Sequence, residues 1–191
     1  MSQSSLFWTT PLPGNGGYAY TITSYLSTML MEIESLYGPR DMSWTIVGVE
    51  FHAGVPQIWF PHNLKYVAIQ LGQNALNDMP LACWQLAHEA IHLLCPVGKQ
   101  AAPVMEEGLA SFYSDKFLFS HFKIPSYGTD VKYKAAASLI NQLITQEGDD
   151  VIKRLRAAEP SFKKMTPQTF KDANVLLDAN VIDQLLMPFY K

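Results

Sequence analysis

Cysteine, basic residues and long apolar runs are all scarce in this 191-residue chain. The 14 lysines and arginines against 17 aspartates and glutamates give a net charge of -3, whereas nucleic-acid-binding proteins usually present a basic face. No apolar run reaches the roughly 18 residues that a bilayer-spanning helix needs. The opening MSQSSLFWTT has neither the basic start nor the apolar stretch of a secretory signal. We therefore expect no nucleic-acid partner, no membrane association and a cytoplasmic location.

The two cysteines, Cys83 and Cys95, lie in one apolar segment. If a single helix contains both, they are about 18 Å apart along its axis. A disulfide needs Cα atoms within roughly 7 Å, so the two cannot bridge each other. We expect two free, small apolar side chains in a reducing compartment.

The pattern of apolar residues predicts an α+β fold with a small, mostly antiparallel sheet. Helical spacing predicts helices at 18–37, 81–96 and 104–119 and further helices across 131–191, and β-branched and aromatic residues predict strands at 43–52, 56–61 and 65–71. Residues 1–17 read as an irregular arm. We expect one domain over 1–191, with an α/β lobe at 18–98 and a helical C-terminal lobe at 99–191.

The segment LACWQLAHEAIHLLCP, residues 81–96, carries a stripe of polar side chains on a helix that is otherwise apolar. Gln85, His88, Glu89 and His92 stand at i, i+3, i+4 and i+7 and therefore share one face. Burying such groups unpaired is costly, and His-Glu-x-x-His places two imidazoles where they can bind one metal ion. The alternative is a hydrogen-bonded core pair with Glu89 as its partner. Asp78 is the expected N-cap of this helix.

A third metal ligand is expected from PVMEEGLASFYSD, residues 103–115. On a helix Glu107 heads a stripe with Ser111 and Asp115, whereas Glu106 shares its side with apolar residues, so we favour Glu107 and keep Glu106 as the alternative. Gly108 has no side chain, which predicts a close approach of this helix to the metal-binding helix.

His88, Glu89 and His92, followed by Glu107 in Glu-Gly-Leu-Ala, resemble the gluzincins, a group of zincin-fold zinc metallopeptidases. The resemblance implies a compact zincin-like fold with one zinc ion on His88, His92 and Glu107. It also implies hydrolysis of peptide or protein substrates by a metal-activated water, with Glu89 as general base.

Further roles follow from the same resemblance. Asp115 or Ser111 would support a metal-binding imidazole through a hydrogen bond. An oxyanion donor would come from His121, Tyr127 or Tyr133, among which the sequence does not decide. The strand at 66–71 would be the sheet edge that pairs with substrate backbone. His52 and His62 are expected to be structural or exposed.

Two other interpretations stay open at this point. The chain could be a catalytically inactive zincin-like scaffold that binds metal or a protein partner, or a helical structural protein in which His-Glu-x-x-His is accidental. Measuring the bound metal distinguishes the structural protein, which would hold none, from the other two. The variant Glu89→Gln distinguishes the enzyme from the scaffold, because only the enzyme would lose an activity while it keeps the metal. The sequence predicts neither the oligomeric state nor the side chain that a substrate presents.

Overall fold

The structure, a computed structural model, describes residues 22–61, 64–98 and 101–189. Within them the chain is α+β, with one three-stranded sheet and seven helices. In chain order the elements are α1 (Ile22–Tyr37), β1 (Thr45–His52), β2 (Gln57–Trp59), β3 (Tyr66–Gly72), α2 (Met79–His92), α3 (Val104–Phe122), α4 (Val131–Glu147), α5 (Val151–Ala158), α6 (Pro167–Asp172) and α7 (Ala179–Leu186). The expected arm at 1–17, the start of the first predicted helix and His62 lie outside the described residues.

The sheet is mixed, with strand order β1-β3-β2, so the prediction of a mostly antiparallel sheet was wrong. β1 pairs in parallel with β3 from Thr45 opposite Tyr66 onward, and the three residues of β2 pair antiparallel on the other side of β3. β3 is therefore the central strand and cannot accept a substrate strand, which corrects the expectation for 66–71. The sheet edges are β1 and β2. His52 has the structural role expected of it, since its Nε2 lies 2.7 Å from the carbonyl of Val55 in the turn between them.

Helix α2 lies in the middle of the fold and packs against α1, β3 and α3. Asp78 caps it by accepting a hydrogen bond from the backbone N–H of Leu81 at 3.0 Å, as predicted, with a proline in the first turn. The helix ends at His92, earlier than the predicted 96, so Cys95 lies beyond it. Both cysteines are free. No helix in the described part of the chain has the length and apolar character to cross a membrane.

Gly108 brings α3 close to α4 rather than to α2. A Cβ at this position would lie 2.5 Å from the carbonyl oxygen of Ala136 and 2.8 Å from its carbonyl carbon, both backbone atoms of α4. Gly108 therefore permits the close approach of α3 to α4, the helix that carries Tyr133, rather than the predicted approach to α2.

We expect Gly108→Ala to destabilise the protein by about 1 to 3 kcal/mol, because a methyl group against backbone forces α3 and α4 apart. The free energy of unfolding in urea measures this. Ser138→Ala, at an exposed position on α4, is the control and should change stability by no more than about 0.5 kcal/mol. If Gly108→Ala left the free energy of unfolding unchanged, α3 and α4 would be able to separate without cost.

Arg156 on α5 is a buried cation that binds backbone carbonyls instead of a carboxylate. Its side chain is 4% exposed. Its guanidinium donates to the carbonyls of Tyr37 at 2.7 Å, Gly38 at 2.9 Å, Pro39 at 2.8 Å, Leu94 at 3.4 Å and Pro160 at 3.4 Å. These carbonyls belong to the segments that follow α1, α2 and α5. Arg156 thus fixes the C-terminal ends of α1 and α2 relative to α5.

Residues 187–189 pair with the backbone that leads into α3. Val104 donates its N–H to the carbonyl of Met187, and Phe189 donates to the carbonyl of Ala102, both at 2.8 Å. The two segments run antiparallel through a bridge between Pro103 and Pro188. The position at which α3 begins, and hence the position of Glu107, is held by a segment distant in sequence.

Candidate metal centre

His88, His92 and Glu107 converge where α2 and α3 pack together. Nε2 of His88 lies 3.2 Å from Oε2 of Glu107, and Nε2 of His92 lies 3.8 Å from the same oxygen. One ligand atom from each of the three residues lies within 4.8 Å of the others. The helical spacing of the two histidines brings both imidazoles to the start of α3, because α2 presents them to it on the same face.

This arrangement fits a metal ion. A tetrahedral ion with ligand bonds of about 2.0 to 2.1 Å separates its ligand atoms by about 3.3 Å. The two nitrogen-to-carboxylate distances, 3.2 and 3.8 Å, lie close to that value. Two imidazole nitrogens and one carboxylate oxygen are also a ligand set that zinc uses in catalytic sites. The His-His-Glu group could therefore hold a metal ion.

Glu106 orients one of the imidazoles. Its Oε1 lies 2.7 Å from Nδ1 of His92, and its side chain is nearly fully buried. Because a carboxylate only accepts hydrogen bonds, Nδ1 carries the proton and Nε2 is left as the metal-facing nitrogen. Burial disfavours the charge on His92, but the Glu106 hydrogen bond and the carboxylates of Glu106, Glu107 and Glu89 outweigh it and raise the pKa of His92 to about 9. Metal uptake at neutral pH must therefore displace a proton.

The residue with this orienting role is not one that the sequence suggested. Ser111 donates its hydroxyl to the carbonyl of Glu107 at 2.9 Å, within its own helix. Asp115 accepts a 2.7 Å hydrogen bond from Nε1 of Trp84 rather than from a histidine. The carboxylate that supports an imidazole is Glu106 instead. The sequence contained a signal for this role. Glu106 shares its helix face with apolar residues and is therefore expected to be buried, and a buried carboxylate needs a partner.

Comparison with family models, with curated proteins and with solved structures finds no match to this chain. The resemblance to gluzincins therefore depends on the motif residues and on their geometry. The fold that the structure shows is α+β with a small mixed sheet, and the approach of Glu107 to both imidazoles is the feature that the structure adds to the sequence motif.

Glu106→Gln is expected to weaken metal binding by about 10- to 100-fold, since outer carboxylates of metal-binding histidines typically have effects of this size. The amide keeps the shape of the side chain but removes its charge. Glu107→Gln, one position away on the same helix, replaces a ligand and should weaken binding more. Competition with a chromogenic chelator measures both affinities. Wild-type affinity in Glu106→Gln would show that Glu106 does not orient His92.

Glu89 and His88 line a cavity of about 330 Å³ next to the metal centre. Glu89 is 5% exposed, and it has no hydrogen-bond donor within the part of the chain that the structure describes. Its carboxylate is thus available to a molecule in the cavity.

Gln85, the remaining member of the polar stripe, has a structural role: it accepts a 2.9 Å hydrogen bond from the N–H of Gly72 at the end of β3.

Of the three candidate oxyanion donors, Tyr133 lies closest to the metal centre. Its ring stands edge-on to that of His88, with centroids 5.6 Å apart, and packs at 4.7 Å against Phe189. Burial, with the carboxylates of Glu107, Glu89 and Asp130, raises the pKa of Tyr133 well above its usual value. Its phenol therefore remains protonated, and able to donate, at neutral pH.

The other two candidates lie elsewhere. Tyr127 packs against Trp84 at the cavity, with ring centroids 6.2 Å apart, and partial burial together with Asp78 raises its pKa. His121 stacks on Phe117 at 4.0 Å and lies near the exposed end of α3. Tyr133 is the one of the three that contacts a residue of the metal centre.

Proposed function

We propose that this chain is a compact, gluzincin-like zinc metallopeptidase that hydrolyses peptides or flexible protein segments. The observation that carries the proposal is the convergence of Nε2 of His88, Nε2 of His92 and Oε2 of Glu107 beside a cavity that Glu89 also lines. A structural histidine pair with His92 protonated would balance one of the three buried acids at this place, Glu89, Glu106 and Glu107, but not all three. Bringing three carboxylates together is unfavourable unless a cation balances them.

Three residues of the chain and the zinc ion have separate roles in the proposed reaction. A zinc ion, when bound, would lower the pKa of a water and polarise the carbonyl of the peptide bond. Glu89 accepts a proton from the attacking water and donates it to the leaving amine nitrogen, which is why its carboxylate must remain unpaired and accessible from the cavity. Tyr133 donates a hydrogen bond to the oxygen on which negative charge develops. Glu106 keeps His92 in the tautomer that leaves Nε2 free.

The position of the sheet suggests where substrate backbone binds. The turn before β2 contributes Val55 and Pro56 to the cavity wall, and β2 is an edge strand. An extended peptide could therefore pair with β2 while its scissile bond lies against the metal centre. This replaces the earlier assignment of the edge role to 66–71.

The test is elemental analysis of purified protein after reconstitution with zinc, combined with cleavage of an internally quenched peptide library. We expect about one zinc per chain in the wild type and little in His92→Ala and Glu107→Ala. We also expect cleavage that a chelator abolishes and zinc restores. Zinc without cleavage would favour the inactive scaffold. A wild type that binds no zinc would contradict both the enzyme and the scaffold.

A further inference from the structure

One end of the cavity is built from two aromatic rings and one acid. Trp84 lies one helical turn before His88, about 6 Å along α2. Its indole N–H donates to Oδ1 of Asp115, which fixes both side chains, and Tyr127 packs edge-on against its ring. The chain at Gly128 passes so close that a Cβ there would lie 3.4 Å from the indole. Helix α2, helix α3 and the segment between α3 and α4 therefore enclose this end of the cavity.

Asp115 is the acidic side chain at this end of the cavity, and the described part of the chain shows no ion pair for its negative charge. Within residues 22–61, 64–98 and 101–189, no basic side chain forms an ion pair with it. The other charged side chains at the cavity are Glu89 beside the metal centre, and Asp130 and Lys134, both exposed near the N-terminus of α4. Asp130 accepts a hydrogen bond from the N–H of Lys132 as a helix cap, and Lys134, one turn later on α4, carries the opposite charge. Apart from Glu89 beside the metal centre, Asp115 is therefore the carboxylate of the cavity that can meet a cationic ligand.

The accessible surface of the cavity is mainly apolar. Val55, Pro56 and Ala137 line the cavity together with the rings of Trp84 and Tyr127. A carboxylate in an apolar, aromatic-walled cavity matches a side chain with a long aliphatic stem and a cationic head. The stem packs against the apolar walls, and the head meets Asp115 and the faces of the aromatic rings. An acidic side chain would be repelled, and a short one would not reach.

We propose that this cavity binds a lysine or arginine side chain of the substrate, next to the bond that is cleaved, with Asp115 as the partner of its positive charge. This inference rests on the proposed function for the position of the scissile bond. The recognition of the basic side chain is a matter of binding, however, and can be measured without turnover. It makes Asp115 a specificity-determining residue rather than a catalytic one.

The test compares acetylated hexapeptides that differ at one position, which is lysine in one and norleucine in the other. Norleucine has the aliphatic stem without the charge. We expect the zinc-loaded chain to bind the lysine peptide at least about tenfold more tightly, because charge-assisted hydrogen bonds are the strong ones. Calorimetry measures both dissociation constants, in the Glu89→Gln variant so that cleavage does not interfere. Quenching of Trp84 fluorescence gives an independent signal.

Asp115→Asn is the decisive variant, since asparagine keeps the acceptor for Trp84 and removes the charge. It should bind both peptides with the affinity that the wild type has for norleucine. Asp183→Asn removes an exposed carboxylate of α7, away from the cavity, and should leave the tenfold preference intact. Melting temperatures confirm that both variants are folded.

The outcomes separate this inference from the proposed function. Equal binding of the two peptides by the wild type, or a lysine preference that survives Asp115→Asn, or no binding of either peptide, would overturn the inference. Cleavage of library peptides without regard to basic residues would also overturn it, while leaving the peptidase proposal standing. A lysine preference that disappears in Asp115→Asn, in a chain that cleaves nothing, would support the inference and contradict the peptidase.

Discussion

Glu89→Gln is expected to lower the kcat for peptide cleavage by roughly 10²- to 10⁴-fold, the range typical of losing a general base. Glutamine has nearly the same shape and cannot accept the proton from the attacking water. The zinc content should remain that of the wild type, because the atoms that converge on the metal position belong to His88, His92 and Glu107. The measurement is the steady-state rate on the best library peptide, with zinc determined on the same sample.

Two other variants make this result interpretable. Glu106→Gln should lose activity through weaker metal binding, so that excess zinc restores its rate, whereas excess zinc should not restore Glu89→Gln. Glu50→Gln, on the outer face of the sheet where Glu50 bonds with Gln70, should leave the rate unchanged. A Glu89→Gln protein that retains wild-type kcat would remove Glu89 from the mechanism.

Arg156→Met is expected to reduce the free energy of unfolding by about 3 to 5 kcal/mol, because several buried carbonyls lose a charged donor and each such loss costs about 1 to 3 kcal/mol. Methionine fills much of the volume but leaves the carbonyls of Tyr37, Gly38 and Pro39 without their side-chain donor, whereas the carbonyl of Leu94 keeps the backbone N–H of Asp41. Each unpaired buried carbonyl is costly. Because these carbonyls follow α1 and α2, the loss loosens the packing that holds the metal-binding helix.

Urea denaturation of the metal-free protein measures this loss without the contribution of zinc. Lys153→Met is the matched control, since Lys153 lies on the same helix and is exposed, with a single 3.3 Å bond to the carbonyl of Ser35. Its effect should stay below about 1 kcal/mol. If Arg156→Met were no more destabilising than Lys153→Met, the carbonyls would have to find water or other donors.

The sequence predicted α2 and its polar stripe well because the signals for them are local. Asp78 caps the helix, and the polar stripe follows from spacing along a single helix. The convergence of His88, His92 and Glu107 was expected for the same reason, since helical spacing selected Glu107 over Glu106. What spacing alone could not supply was the partner of Glu106, because that depends on the rotation of α3 against α2.

The sheet was predicted less well because strand order is not a local property. The strand at 66–71 was expected at the sheet edge, but β3 lies between β1 and β2. A signal against the edge assignment was present in YVAIQL, whose nearly continuous apolar run is typical of a strand covered on both faces. The burial of Arg156 has no signal in the local sequence, because the carbonyls of Tyr37, Gly38, Pro39 and Leu94 that it binds come from segments far away in the sequence.

The bridge between Pro103 and Pro188 has a consequence for protein synthesis. The two histidines leave the ribosome long before residues 187–189, which hold the start of the helix that carries Glu107. A nascent chain thus passes through a stage with two imidazoles and no fixed third ligand. The third candidate ligand is therefore fixed late in synthesis, and products of premature termination before residue 187 would carry the whole motif without the segment that holds the start of α3.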